Sequence, residues 1–118
     1  MKQTEHAEQV ALINWSYLNS GKYPELDLLH AIPNGGKRSI GVARKLKAEG
    51  VKPGIPDLFL PVARGDFHGL YVEMKSARGK LSPVQKEVQR ALREQGYCVL
   101  TCYDWSQASD SIIKYLGL

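Results

Sequence analysis

Residues 54–75 read G-I-P-D-L-F-L-P-V-A-R-G-D-F-H-G-L-Y-V-E-M-K, and this stretch decides the fold. Its beginning predicts a short apolar strand that Asp57 opens. Its end alternates apolar and polar residues with the period of two that a strand requires. The alternation places Glu73 and Lys75 on the same face of that second strand. If the two strands pair, the side chains of Asp57, Glu73 and Lys75 converge at one edge of a sheet.

Two carboxylates and a lysine are the groups that hydrolysis of a phosphodiester needs. A bound Mg²⁺ acidifies the attacking water and neutralises charge on the phosphate, and this ion prefers oxygen ligands such as carboxylates. Each part of the pattern also has a simpler interpretation, because half-exposed strands often carry E-x-K and P-D often begins a strand. However, fifteen residues separate Asp57 from Glu73, and the two motifs lie in the required order on successive predicted strands. The combination favours a catalytic site.

The segments before this stretch predict a helix, a strand and a second helix. Thr4 can cap a first helix that runs to about Asn19. L-L-H-A-I-P, residues 28–33, predicts a short strand, and residues 39–49 predict a basic helix that ends at Gly50. The apolar stripe expected on the first helix consists of Ala11, Leu12, Trp15 and Leu18.

The segments after it predict a helix, a strand and a closing helix. Ser82 and Pro83 are typical of a helix start. Y-C-V-L-T-C, residues 97–102, predicts a buried strand, and residues 106–116 predict the last amphipathic helix. The buried stripe expected on the helix after Ser82 consists of Val84, Val88, Ala91 and Leu92. The order α, β, α, β, β, α, β, α predicts an α/β fold in which helices cover a sheet.

The composition is typical of one soluble globular domain, covering residues 1–118. Hydrophobic residues make up 43% of the chain and charged residues 24%, which are ordinary values. We expect no membrane association, because no apolar run is long enough to span a bilayer and the chain begins without a signal peptide. Cys98 and Cys102 would lie too far apart on a strand to form a disulfide. Free thiols indicate a reducing compartment, so we expect the protein in the cytoplasm of a bacterium or a virus-infected cell.

The charge is concentrated in one segment. The net charge is +4, and residues 37–52 carry six basic residues against one acid, Glu49. Such a segment is often only a solvated helix face, but it also suits contact with an anionic nucleic-acid backbone. The turn N-G-G-K-R, residues 34–38, is interpreted as part of the same contact. The candidates for this contact are Lys37, Arg38, Arg44, Lys45 and Lys47.

Several motifs together resemble one nuclease family. I-P-D followed by E-M-K resembles the PD-(D/E)xK nuclease superfamily. More narrowly, H-A-I-P-N-G-G-K-R, E-G-V-K-P-G-I-P-D-L, E-M-K-S and G-K-L-S-P-V-Q-K resemble the virus-type replication-repair nuclease (VRR-NUC) domain. The resemblance covers the chain from His30 to about Cys102. It implies a single domain with a restriction-endonuclease-like fold, in which a mixed sheet is flanked by helices.

The resemblance also implies roles for individual residues. Asp57, Glu73 and the backbone carbonyl of Met74 would bind Mg²⁺ or Mn²⁺, and Lys75 would position or activate the attacking water. A glutamate of the first helix and a glutamine would lie beside them, and these are the catalytic candidates Glu8 and Gln85. Glu8 falls on the inward face with Leu12 and Trp15, yet a glutamate near a helix start is also favoured by the helix dipole. Gln85 is equally well explained as the partner of Ser82 in a capping box.

The function implied is a divalent-metal-dependent DNA endonuclease. Stand-alone members of the resembled family look like homodimers that act on branched DNA, four-way junctions first, in repair and recombination. Trp15 and the terminal I-I-K-Y-L-G-L offer apolar surface for association, although a monomer would use the same surface for its core. Two alternatives remain open from the sequence. One is an exonuclease or an RNA-directed nuclease on the same core, and the other is a DNA-binding module without catalysis.

Overall fold

Four helices and four strands follow one another in the predicted order. The computed structural model describes residues 4–33 and 39–118, so N-G-G-K-R with Lys37 and Arg38 lies outside the described residues. The elements are α1 (Glu5–Asn19), β1 (His30–Ala31), α2 (Ile40–Ala48), β2 (Leu58–Leu60), β3 (Leu70–Met74), α3 (Pro83–Glu94), β4 (Cys98–Cys102) and α4 (Trp105–Leu116). A short 3-10 helix, Pro24–Leu28, follows α1.

The strands form one mixed sheet in the order β1-β2-β3-β4. The first two pairings are antiparallel, and β3 pairs with β4 in parallel. A parallel pair needs a crossover connection, and α3 supplies it. In the register Phe59 lies opposite Tyr71, while Glu73 lies beside Thr101. The predicted α/β class and the mixed sheet are therefore confirmed, and Asp57 directly precedes the strand that pairs with β3.

The predicted helix starts are confirmed because each depends on local chemistry alone. The hydroxyl oxygens of Thr4, Ser39 and Ser82 accept hydrogen bonds from the backbone N–H three residues further on, at 3.0, 3.2 and 3.1 Å. Each bond satisfies one of the N–H groups that a helix start leaves unpaired. These caps fix where α1, α2 and α3 begin.

The main core lies between one face of the sheet and the pair α1 and α4. Its sheet residues are Leu58, Leu60, Leu70, Val72 and Met74, and its helix residues include Leu12, Ala108, Ile112 and Tyr115. All of these are at most 3% exposed. Burying one large apolar side chain contributes about 1.5–3 kcal/mol, so this face anchors β2 and β3 firmly. The opposite face of the sheet is thereby left to carry the polar side chains of the same strands.

That opposite face is covered by α3 where it meets β4. Gln89 of α3 is 2% exposed and Val99 of β4 is 4% exposed. Further along the same face the rings of Phe59 and Tyr71 stack with their centroids 4.3 Å apart. Glu73 lies on this same face and is buried at 2% exposure, beside the β4 residue Thr101 that α3 contacts.

Three expectations are wrong in part: the apolar stripe of α1, the apolar stripe of α3 and the length of the first strand. Leu18 is 85% exposed and Val84 is 49% exposed, and Ala91 is also exposed. Ser16 of α1 and Gln89 of α3 are buried, although neither belongs to the predicted apolar stripe. The neighbouring elements cover a narrower part of each helix surface than the width of the predicted stripe. The strand expected over residues 28–33 is only His30–Ala31, since Leu28 ends the 3-10 helix.

Two other expectations have clear outcomes. Both cysteines are free, as predicted, and burial raises the pKa of the Cys102 thiol to about 11, which makes it unreactive. The terminal segment belongs to the core, since Ile112 is fully buried and Tyr115 is 3% exposed. None of the described helices is both long and apolar enough to cross a membrane.

Candidate active site

Asp57 is fixed against the end of β3. Its Oδ2 accepts a hydrogen bond of 2.8 Å from the backbone N–H of Met74. The bond joins the residue before β2 to the last residue of β3, so the Asp57 carboxylate lies directly beside Glu73. The structure therefore brings together the two carboxylates that the sequence placed on separate strands.

Glu73 is the least solvated charged group of the site. The residue is 2% exposed, and its Oε1 is buried without a hydrogen-bond partner among the described residues. Burial, the hydrogen bond with the Asp57 side chain and the Asp57 charge raise the pKa of Glu73 from 4.5 to about 9. The charge of Lys75 acts in the opposite direction. Two carboxylates in this position cannot both ionise without a nearby cation.

Lys75 completes the trio at the same edge. Its backbone N–H donates to the carbonyl of Cys102 at 2.8 Å, which continues the pairing of β3 with β4 by one residue. The side chain is half-buried and close enough for its charge to act on Glu73. Asp57, Glu73 and Lys75 therefore lie together at one end of the sheet.

The donor set fits a divalent cation that prefers oxygen. The Oε1 of Glu73 is an unpaired acceptor in a buried setting, which is costly and would be relieved by a metal ion. The described residues include no cluster of three His, Cys, Asp or Glu side chains suited to a metal. A site with two carboxylates and the Met74 carbonyl matches Mg²⁺, because this ion usually keeps several waters and takes one or two carboxylates.

The first helix brings a second glutamate, Glu5, to this edge, and the role proposed for Glu8 stays a prediction. The Oε1 of Glu5 accepts a hydrogen bond of 3.1 Å from the backbone N–H of Ser76, and its charge contributes to the raised pKa of Glu73. Glu8 instead accepts from the backbone N–H of Trp105 at 2.9 Å, at the start of α4. The sequence singled out Glu8 and not Glu5, because no local pattern shows which first-helix glutamate lies beside Ser76.

Gln85 has the capping role that the sequence allowed. Its Oε1 accepts from the backbone N–H of Ser82 at 2.8 Å, and its own N–H donates to the Ser82 hydroxyl. Both bonds of the predicted capping box are therefore present. A catalytic role for Gln85 stays a prediction.

The described basic residues of α2 are free for an anionic partner. Arg44, Lys45 and Lys47 are exposed, and across residues 4–33 and 39–118 none of them forms a salt bridge. Two further exposed cations, Arg78 and Lys80, lie in the loop directly after Lys75. Their closeness to Lys75 in the sequence already indicates that they lie near the carboxylate pair.

Comparisons with known proteins identify the family of the chain. The family model described as the VRR-NUC domain matches residues 2–105. A solved structure named "VRR_NUC domain protein" is 32% identical in sequence and superposes with a TM-score of 0.82, covering 99% of this chain and 91% of that one. No curated protein matches the sequence.

A carboxylate pair and a lysine at the end of a mixed sheet define a nuclease of the PD-(D/E)xK type. The chain belongs to the VRR-NUC domain family. The predicted family and the restriction-endonuclease-like fold are thereby confirmed. Membership implies nuclease activity with DNA as the substrate class.

Proposed function

We propose that the protein is a divalent-metal-dependent endonuclease that hydrolyses DNA phosphodiester bonds. The observation that carries the proposal is a carboxylate pair, the half-buried Asp57 and the buried Glu73. One oxygen of Glu73 has no partner among the described residues. A buried acid without a partner is costly in a folded protein. Its presence is explained if the folded state gains a cation there.

Each residue of the site would have its own role. Asp57, Glu73 and the carbonyl of Met74 would hold Mg²⁺ or Mn²⁺. When bound, such an ion supplies charge neutralisation at the phosphate and a more acidic water. Lys75 would orient the attacking water through its ammonium group, and its charge would also favour the anionic phosphate. The hydrogen bond from Met74 to Asp57 keeps the first carboxylate in place before the substrate arrives.

The basic surface supports DNA as an extended, anionic substrate. Arg44, Lys45 and Lys47 would contact phosphates, together with Lys37 and Arg38 of the preceding turn. Phosphate contacts carry no sequence information, and neither the sequence nor the described structure contains a base-reading element of a common type. We therefore infer selection of DNA by shape rather than by sequence.

We further propose a homodimer that prefers branched DNA and acts in repair or recombination. Ile112 and Tyr115 of the terminal segment are buried in the core and Trp15 is half-buried, so these residues offer little surface for a second copy. A different candidate is the outer stripe of α1, defined here as its exposed apolar residues Val10, Tyr17 and Leu18. Their spacing puts them on one side of the helix, and no charged residue occurs between Gln9 and Gly21.

A two-fold dimer suits a four-way junction. It would present two sites related by the same symmetry as the junction arms, through a self-complementary contact. An uncharged stripe also avoids repulsion between two copies that each carry a net charge of +4. The same stripe offers little to a phosphate backbone, which favours a second copy over DNA as its partner.

A cleavage panel tests the proposal. Linear, flapped, forked and four-way DNA of matched sequence would be incubated with Mg²⁺ and, in parallel, with EDTA. We expect metal-dependent cutting that is fastest on the four-way junction, and nicking of a covalently closed circle. Binding without any cutting would indicate a non-catalytic module. An intact circle beside a degraded linear duplex would indicate an exonuclease, and faster cutting of matched RNA would redirect the substrate assignment.

A further inference from the structure

A chain of polar side chains runs from the surface of α3 to the strand beside Glu73. The guanidinium of Arg93 donates to the Oε1 of Gln89 at 3.3 Å and to the carbonyl of Val99 at 2.9 Å. The amide of Gln89 then donates to the hydroxyl oxygen of Thr101 at 3.2 Å. Because Arg93 can only donate, the carbonyl oxygen of Gln89 must face it. The amide N–H₂ must therefore face Thr101.

This row of hydrogen-bonded side chains is unusual for a contact between a helix and a strand, because it is buried. Gln89 is 2% exposed, and a buried amide is costly unless its hydrogen bonds are made. An apolar residue would pack between α3 and the sheet without that cost. The buried amide is explained if it holds Thr101 in one orientation.

Thr101 is the register partner of Glu73. In the parallel pairing of β3 with β4 the two residues lie side by side, so their side chains project from the same face of adjacent strands, which lie about 4.8 Å apart. The Thr101 oxygen already accepts the Gln89 proton. Within the described residues the bond from Gln89 is the one that the Thr101 hydroxyl makes, and the Oε1 of Glu73 has no partner. No hydrogen bond therefore joins Thr101 to Glu73 in the described structure, although the two side chains are neighbours on the same face.

We infer that Thr101, oriented by Gln89 and Arg93, is a positioning residue for Glu73. When the Glu73 carboxylate turns to bind a cation, the neighbouring Thr101 hydroxyl donates to it and holds it in that orientation. Each carboxylate oxygen has two acceptor sites, so Oε1 can accept the Thr101 hydroxyl and still face a cation. Groups that hydrogen-bond a ligating carboxylate orient it and strengthen metal binding. The inference rests on the proposed metal-dependent function. It adds Thr101, which is not one of the PD-(D/E)xK residues, as a residue that orients a metal ligand.

The test is the affinity of Mn²⁺ for the purified protein without DNA, measured by electron paramagnetic resonance of the free ion. Thr101→Val keeps the shape and the β-branch but removes the hydroxyl, and we expect Mn²⁺ affinity to fall by about tenfold or more. Thr101→Ser keeps the hydroxyl and should bind within about twofold of the unaltered protein. Gln89→Met keeps the volume and removes the amide, and it should weaken Mn²⁺ in the same direction.

Ser109→Ala is the matched control. Ser109 is a 5% exposed residue whose hydroxyl donates to Ser106 within α4, so its loss should leave Mn²⁺ affinity unchanged. As a second readout, Thr101→Val should raise the Mg²⁺ concentration needed for half-maximal cleavage more than it lowers the maximal rate. Unchanged Mn²⁺ affinity in Thr101→Val and Gln89→Met would overturn the inference while leaving the proposed function intact. Absence of saturable Mn²⁺ binding by the unaltered protein would overturn both.

Discussion

The Oδ2 of Asp57 accepts a hydrogen bond of 2.8 Å from the backbone N–H of Met74. This contact joins the two halves of the site, because Asp57 precedes β2 and Met74 ends β3. The N–H at the end of a strand needs an acceptor, and here the acceptor is a carboxylate proposed as a metal ligand. The same bond therefore completes the sheet and fixes one oxygen of the site before any cation is present.

This contact separates the structural role of Asp57 from its chemical role. Asp57→Asn keeps an oxygen that can accept from Met74, whereas Asp57→Ala leaves that N–H unpaired. Both variants remove the charge beside Glu73 equally. We expect Asp57→Ala to be less stable than Asp57→Asn by about 1–2 kcal/mol, measured by urea unfolding in EDTA. Equal stabilities would show that the bond contributes nothing to the fold.

Loss of either carboxylate should abolish cleavage. Asp57→Asn and Glu73→Gln each remove a charged ligand. Loss of a residue that only hydrogen-bonds a metal ligand typically costs roughly 10–100-fold in activity, so the rate should fall here by more than that. DNA affinity in EDTA should stay the same or rise, since negative charge is lost near the phosphates. Asp110→Asn, a change at an exposed residue of α4, should cut normally. Near-normal cleavage by either active-site variant would show that the site lies elsewhere.

How much of the structure the sequence predicts depends on how local each feature is. The helix starts at Thr4, Ser39 and Ser82 follow from one side chain and one nearby N–H, and they are confirmed. The two strands that carry Asp57 and Glu73 follow from alternation and order. The face of Glu73 was also predictable, but its burial was not, because the residues around it, such as Asp57 and Glu5, come from other elements of the chain.

The failures concern contacts between distant elements. A helical pattern does not say how much of a helix its neighbours cover, so Leu18 and Val84 were placed inward although both are largely exposed. The position of Glu5 beside Ser76 joins residues 71 apart in the chain. No spacing in the sequence distinguishes that contact from the bond between Glu8 and the start of α4.

The raised pKa of Glu73 makes stability depend on pH in the absence of metal. Between about pH 4.5 and 9 the folded protein keeps a proton on Glu73 that the unfolded chain has released. The folded state then binds more protons, so the stability from this group is full below pH 4.5 and is lost as pH rises towards 9. The slope from one group is at most about 1.4 kcal/mol per pH unit.

The measurement is the free energy of unfolding in EDTA at several pH values from 5 to 9. Glu73→Gln should flatten the decline, because its side chain does not titrate. Saturating Mg²⁺ should flatten it as well, since a cation replaces the proton. Parallel declines in the unaltered protein and in Glu73→Gln would contradict this assignment.

Lys75 and the basic helix should have separable effects. Lys75→Ala should lower turnover by roughly 10²–10⁴-fold, as expected for a group that manages the attacking water, with little change in DNA affinity. Arg44→Ala combined with Lys47→Ala should lower affinity and flatten the slope of log K against log salt by about two units. Arg44 and Lys47 are both exposed and free of salt bridges in the described structure, whereas Lys75 is half-buried.

The matched control for the basic helix removes two positive charges elsewhere. Arg90→Ala with Lys114→Ala changes the net charge equally, but Arg90 is already paired with Glu87 and Glu94. Its salt slope should stay close to that of the unaltered protein. If the α2 double variant has the same salt slope as the unaltered protein, α2 does not contact the DNA backbone.

The outer stripe of α1 should hold the dimer together. Tyr17 is 72% exposed and Leu18 is 85% exposed, and exposed apolar side chains of this size on one helix face suit a self-complementary contact. Sedimentation at micromolar concentration should give twice the monomer mass of 13.2 kDa. Tyr17→Glu with Leu18→Glu should give the monomer, because two copies would then bring four acids together.

Substrate preference should change with the oligomeric state. The monomeric double variant keeps its site, so it should still nick a duplex with Mg²⁺. It should lose the preference for a four-way junction, because paired incisions need two sites fixed by the two-fold axis. Leu118→Glu alters another exposed leucine, 62% exposed and beside Gly65, and should leave both mass and preference unchanged. A single species near 13.2 kDa for the unaltered protein would refute the dimer, and equal rates on junction and linear duplex would refute the preference.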